Sequence, residues 1–175
     1  MDIKSLLIQG LGILGTVAYL LSYQFKRNKD LFRMQFISSI FYGLHFFFLG
    51  AYTGALSSMI TLLRAFCLSS DNKILRSKGA CIIVCTLQVL FGIITFEGYY
   101  SFFPMIANIS LTITGYTNNP EMIRFAGMCI NSPLWIVYDV IVGSWAGVID
   151  ELITEASIIT SIFRYKFNDK EDIIK

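Results

Sequence analysis

The chain has 175 residues, 55% of them hydrophobic and only 15% charged, with a net charge of +2 and a mean hydropathy of +0.62. Soluble domains carry about 45–50% apolar and about 25% charged residues, and a soluble chain this short leaves too much surface exposed to hide the excess. The balance excludes a strongly basic nucleic-acid binder and predicts an integral membrane protein, with the lipid bilayer as its first partner.

A helix rises about 1.5 Å per residue, so about 20 residues cross a hydrocarbon core of about 30 Å. The apolar runs are long and continuous, not short alternating segments, which favours helices over a barrel. The first predicted span is Ser5–Gln24. Asp2 offsets Lys4 and no small-x-small site follows, so the span is expected to be retained, not cleaved as a signal peptide. Next come Phe32–Leu49, Thr53–Leu68, Ala80–Phe96 and Ser101–Tyr116. Glu121–Val142 and Trp145–Tyr165 complete a set of seven. Gly50 and Gly54, and Gly143 and Gly147, suit the two shortest connections.

Basic residues test this count, because cytoplasmic loops collect Lys and Arg. Lys26, Arg27, Lys29 and Arg33 follow span one, and Lys73, Arg76 and Lys78 follow span three. Arg124 lies between spans five and six, and Arg164, Lys166, Lys170 and Lys175 lie at the end. Twelve of the 14 basic residues thus fall on one side, Lys4 on the other, and Arg64 inside a span. The asymmetry requires an odd number of spans, with the N-terminus outside and the C-terminus cytoplasmic. Tyr52, Tyr99, Tyr100 and Trp145 then form an outer aromatic belt.

The second half echoes the first. A shift of 91 pairs Phe25 with Tyr116, Asn28 with Asn119 and Arg33 with Arg124. A shift of 93 pairs Ser39 with Ser132, Tyr42 with Trp135, His45 with Tyr138 and Thr61 with Thr154. It also pairs Gly50 with Gly143, Tyr52 with Trp145, and Gly54 with Gly147. The predicted fold is therefore all-α and polytopic, a single membrane domain over 1–175. Two parallel three-helix bundles, 1–70 and 101–166, are joined by a linker helix at 79–97. Parallel repeats about an axis along the membrane normal are a transporter plan, with the site near the midplane.

The stretches LSYQFKRNKDLFRMQFISSIFYGLHF, SPLWIVYDVIVGSWAGVIDE and SIFRY resemble the YgjV family of bacterial inner-membrane proteins. The three-plus-one-plus-three plan resembles the wider group of SWEET, PQ-loop and PnuC transporters. This resemblance implies an inner-membrane location and a SWEET-like fold. It implies transport of a small polar solute such as a sugar, nucleoside or vitamin-like molecule, with the substrate unassigned. The Pro-Gln pair of PQ-loop proteins is not kept: Ser22-Tyr23-Gln24 ends span one, and Thr114-Gly115-Tyr116 ends span five. The hinge role of that proline is not carried over.

Ionisable residues at membrane depth are costly and usually face the bundle interior. Arg64 and Glu155 lie about 15–16 Å into spans three and seven. They are expected to face each other across a central cavity, either as a structural ion pair or around a charged or zwitterionic ligand. Asn131, Trp135 and Tyr138 share one helix face at i, i+4 and i+7. Pro133 should kink that helix and open backbone to the cavity. Such a face suits a small polar ligand or, alternatively, ordinary helix packing. His45, the only histidine, is either a proton-sensitive gate or a hydrogen-bonded packing residue. Asp150 and Glu151 read as dipole-favoured acids near a helix start, and Asp139 as a wetted residue near a helix end. Asn108, Ser110 and Gln88 read as interhelical hydrogen-bonding groups. Cys67, Cys81, Cys85 and Cys129 read as small buried hydrophobes.

No Walker loop, HExxH, GxSxG or paired-cysteine metal motif is present. The expected protein is not an enzyme and needs no cofactor or metal. The leading function is a small-solute transporter that rocks two three-helix halves. The alternative is a membrane sensor or adaptor that moves nothing, and a homo-oligomer is compatible with either.

Overall fold

A computed structural model describes residues 3–173, with side chains through Thr160. Asp2, the side chains of the SIFRY segment and those of Lys166, Lys170 and Lys175, all invoked above, lie outside the described residues. The described residues form seven helices and no strand. They are α1 (Ile3–Ser22), α2 (Asn28–Leu49), α3 (Tyr52–Ser69) and α4 (Lys78–Ile94). A 3-10 turn, Tyr99–Ser101, leads into α5 (Phe102–Tyr116), followed by α6 (Pro120–Val142) and α7 (Trp145–Ile173). Each helix begins within four residues of its predicted start. The last runs beyond Tyr165 to Ile173.

Local chemistry sets the ends. Gly50 and Gly143 close α2 and α6 in the left-handed region, with φ of 81° and 75°, where a side chain would clash with its own backbone. Asn119 accepts from the N–H groups of Glu121 and Met122 and starts α6, with Pro120 in its first turn. Within α6, Gly127–Asn131 widen into a π turn just before Pro133. Proline cannot donate to the preceding turn and its ring crowds the carbonyl four residues back, so an extra residue per turn relieves that clash.

Two helices, Ile3–Ser22 and Pro120–Val142, are long and apolar enough by themselves to cross a bilayer, with mean hydropathies of 1.6 and 1.5. The others are shorter or more polar. The polarity of this molecule runs from inside to outside. Ser38, Gln35, Arg64, Gln88, Asn108, Thr112, Asn131 and Asp139 are all buried. Ile13, Val17, Leu21, Ile82, Ile83, Ile93, Ile94, Val140 and Ile141 are exposed. Water would penalise that arrangement; a hydrocarbon surround favours it, because there apolar side chains gain nothing by facing each other.

The helices contact one another in a closed circuit. Helix α1 packs on α2, α2 on α3, α3 on α5, α5 on α6, α6 on α7, and α7 back on α1. Helix α4 stands outside this circuit, against α3 and α5. Polar bonds fasten it: Gln88 donates to the Ser57 hydroxyl at 3.0 Å and accepts from Asn108 at 3.4 Å, and Asn108 also joins α5 to α3 by donating to the Ser57 carbonyl at 3.1 Å. Thr61 donates to Asn108 Oδ1 at 3.1 Å. Ser110 instead donates to the Ala107 carbonyl of its own helix, at 2.7 Å.

The cysteines do not behave alike. Cys67 is buried, but Cys81 and Cys85 on the outlying α4 are half-buried and Cys129 on the π turn is exposed. A thiol loses little by facing hydrocarbon, so the expectation of uniform burial fails without cost.

Candidate functional site

The helical circuit surrounds a cavity of about 60 Å³ to which all six of its helices contribute and α4 contributes nothing. That is room for roughly four water molecules at about 10–15 Å³ each. Tyr19 comes from α1, and Ser38, Ser39, Tyr42 and Phe46 come from α2. Helix α3 supplies Ser58, Thr61 and Arg64, and α5 supplies Asn108 and Leu111. Asn131, Trp135 and Asp139 come from α6, and Gly147, Asp150 and Glu151 from α7.

One wall is aromatic. Phe46 stacks on Trp135 with ring centroids 5.6 Å apart, and Tyr42 stacks on Phe46 at 6.0 Å. The wall joins α2 to α6. Of the predicted aromatic face, Asn131 and Trp135 line the cavity. Tyr138 does not; it is fully buried and its hydroxyl accepts from the Gly54 N–H at 2.8 Å.

The charges are distributed unevenly. Arg64 is 1% exposed, and its Nε and Nη1 have no hydrogen-bond partner. Three carboxyls, Asp139, Asp150 and Glu151, line the same cavity, each with one buried oxygen lacking a partner. Asn131 Oδ1 is likewise buried and unpartnered. Hydroxyls of Thr16, Tyr42 and Thr154 neighbour Asp150, and Ser132 neighbours Glu151. Tyr19 and Tyr23, joined hydroxyl to hydroxyl at 3.0 Å, lie within the fields of both Glu151 and Arg64. The ion pairs of the described residues, Arg27–Asp30, Arg33–Asp30 and Lys29–Asp71, all lie away from this site.

The sequence located some of these groups and misplaced others. Arg64 lines the cavity, whereas Glu155 is half-buried and is not among the lining residues. The carboxyls of α7 that share the cavity with Arg64 are those of Glu151, one turn before Glu155, and its neighbour Asp150. The helix dipole acts mainly in the first turn, and both acids lie beyond it. Asp139 is 2% exposed, not wetted, because Gly147 lets α7 close against it: a Cβ at that glycine would lie 2.5 Å from Asp139 Cγ.

His45 is fully buried but is not among the residues that line the cavity. Its Nδ1 lies 2.8 Å from the Ile8 carbonyl, which can only accept, so Nδ1 carries the proton. Its Nε2 meets the Ser144 hydroxyl at 3.0 Å. Both nitrogens therefore tie α2 to α1 and to the start of α7.

A usable signal for the missed acids lay in the repeat. The same 93-residue shift pairs Ser38 with Asn131, Tyr42 with Trp135, Phe46 with Asp139, and Ser58 with Glu151. All eight line the cavity.

The model of the family Imp-YgjV, described as bacterial inner membrane protein, matches residues 6–169. No curated protein and no solved structure gave a match. The chain belongs to that bacterial inner-membrane protein family.

Proposed function

We propose, with membership of an inner-membrane family as the premise, that this chain is a small-solute transporter and not an enzyme. The observation that carries the reading is the cavity itself. It draws polar or charged groups from all six circuit helices, and several of those groups have no partner within the protein. Unpartnered buried polar atoms cost roughly 1–3 kcal/mol each, and a bound solute would recover that cost. Function is the return for keeping them at membrane depth.

In this reading the chain has two parallel three-helix units, 1–70 and 101–166, with the linker at 79–97. The order of helix contacts supports it, since the α3–α5 junction has its counterpart in the α7–α1 junction. The paired caps support it too: Gly50 and Gly143 close the second helix of each unit in the same left-handed conformation. The distribution of basic residues favours an outer N-terminus and a cytoplasmic C-terminus. Exposed Tyr52, Tyr99 and Trp145 would then lie at the outer interface. Rocking of one unit against the other would expose the cavity to each side in turn.

Flux in proteoliposomes tests the reading. Solutes of the sugar, nucleoside, amino-acid and vitamin-precursor classes would be offered in counterflow. Transport of one class that falls at least tenfold in folded Asn131→Ala or Trp135→Ala is the expected result. Binding of a solute without flux would instead favour a sensor.

A further inference from the structure

We infer that the solute is a small zwitterion, an ammonium and a carboxylate on one short skeleton. The inference rests on the transporter reading and deepens it.

The cavity carries both signs of charge and leaves them unpaired with each other. Arg64 lines it with two unpartnered nitrogens, and Arg64 appears in none of the ion pairs of the described residues. A guanidinium remains protonated under all ordinary conditions, and its planar donors suit a carboxylate in bidentate geometry. Asp150 and Glu151 present unpartnered carboxyl oxygens to the same space. Beside them, Tyr42 and Trp135 supply aromatic rings of the kind that attract ammonium groups. The described residues hold no group of three or more His, Cys, Asp or Glu side chains placed to bind a metal ion.

The spacing agrees. Tyr52 and Trp145 begin α3 and α7 and are paired by the repeat. Counted from those starts, Arg64 lies six residues deeper than Glu151, or about 9 Å along the helix axis. Two charge-assisted contacts plus a short ammonium-to-carboxylate skeleton span that distance. A neutral sugar could hydrogen-bond to Arg64, Asp150 and Glu151 but would leave their charges uncompensated in a low-dielectric site. A site built for buried charge discriminates strongly against a ligand lacking it.

The test is a thermal melt of the purified full chain in detergent micelles. The probes are L-alanine, ethylamine, propionate and sorbitol. L-alanine is expected to bind at least tenfold more tightly than either single-charge probe, with sorbitol inert. Arg64→Gln should reduce L-alanine to the affinity of ethylamine, and Glu151→Gln should reduce it to that of propionate. Arg64→Lys, which keeps the charge, should retain part of the preference and covers the case in which Arg64→Gln does not fold. Equal affinity for all probes, no response to L-alanine from folded protein, or a preference unchanged in Arg64→Gln overturns the assignment. A sorbitol response without one to L-alanine also overturns it, while leaving transport standing. Absence of flux for every solute in proteoliposomes is the separate result that defeats the transporter reading.

Discussion

The hydroxyl of Tyr138 accepts a hydrogen bond from the backbone N–H of Gly54 at 2.8 Å, so a side chain of α6 caps the first turn of α3. That N–H is one of the four donors a helix start leaves without an internal partner. His45 of α2, which lies 93 residues before Tyr138 in the sequence, reaches the Ser144 hydroxyl just before α7 at 3.0 Å. Each half of the chain thus holds the start of a helix that belongs to the other half.

Removing one of these clasps should loosen the molecule without emptying the cavity. Tyr138→Phe keeps the ring that packs against Phe46 and Tyr100 and deletes only the acceptor. The expected loss is about 1 kcal/mol, the usual scale for a hydrogen bond between membrane helices and at most about 2. Thermal unfolding in detergent measures it; an unchanged melting temperature would show that another group caps Gly54 equally well.

Close approach at Gly147 makes a second prediction. A methyl group there would overlap Asp139 and the Ser144 hydroxyl, at 2.5 and 2.6 Å. Gly147→Ala should destabilise by about 1–3 kcal/mol, as overpacking does. Gly10 has open space around its would-be Cβ, so Gly10→Ala should be neutral or slightly stabilising by helix propensity. The two melts, run side by side, separate crowding from a general intolerance of alanine.

These contacts also mark what a sequence can convey. Helix existence was legible because a hydrocarbon solvent demands unbroken apolar runs, and the turns were legible because Gly50 and Gly143 meet a backbone conformation that other residues avoid. Arg64 stood out as a lone charge in an apolar helix, and Asn131 with Trp135 as a polar face. Depth along a helix follows from counting; the choice between neighbouring turns does not, since it depends on how closely two helices approach. Glu155 was therefore preferred to Glu151. From sequence Asp139 reads as a wetted end, because nothing local announces that Gly147 brings α7 onto it.

At the opposite end, Lys29 in the first turn of α2 pairs with Asp71 in the loop between α3 and α4. The hydrogen bond from Lys29, and then its charge, hold the Asp71 carboxyl below its ordinary value. A depressed carboxyl contributes stability above its unfolded value of about 3.9 and loses it as pH falls through the folded one. Any difference in melting temperature between the native chain and Asp71→Asn should therefore begin to shrink near pH 4 and vanish only once pH has fallen below the folded value. Added salt should also shrink it, because Asp71 is fully open to solvent. A difference that persists at low pH would mean that the asparagine perturbs the loop itself.

The cavity acids should show the opposite relation between stability and activity. Asp150 is 3% exposed and one of its oxygens has no partner, so the folded state bears the cost of a carboxyl removed from water. Asparagine has nearly the same shape, no charge, and an amide that the hydroxyls of Tyr42, Thr16 and Thr154 can meet. Replacing an unsatisfied buried ionisable group by a neutral one of similar volume is commonly neutral or stabilising. Asp150→Asn is expected to melt at the same temperature or a few degrees higher, while flux of the transported solute falls at least tenfold. Parallel melts and proteoliposome assays decide the matter. If Asp150→Asn lost stability and kept its flux, the carboxyl would be a structural element of α7, and the acidic wall would have to be rebuilt around Glu151 and Asp139 alone.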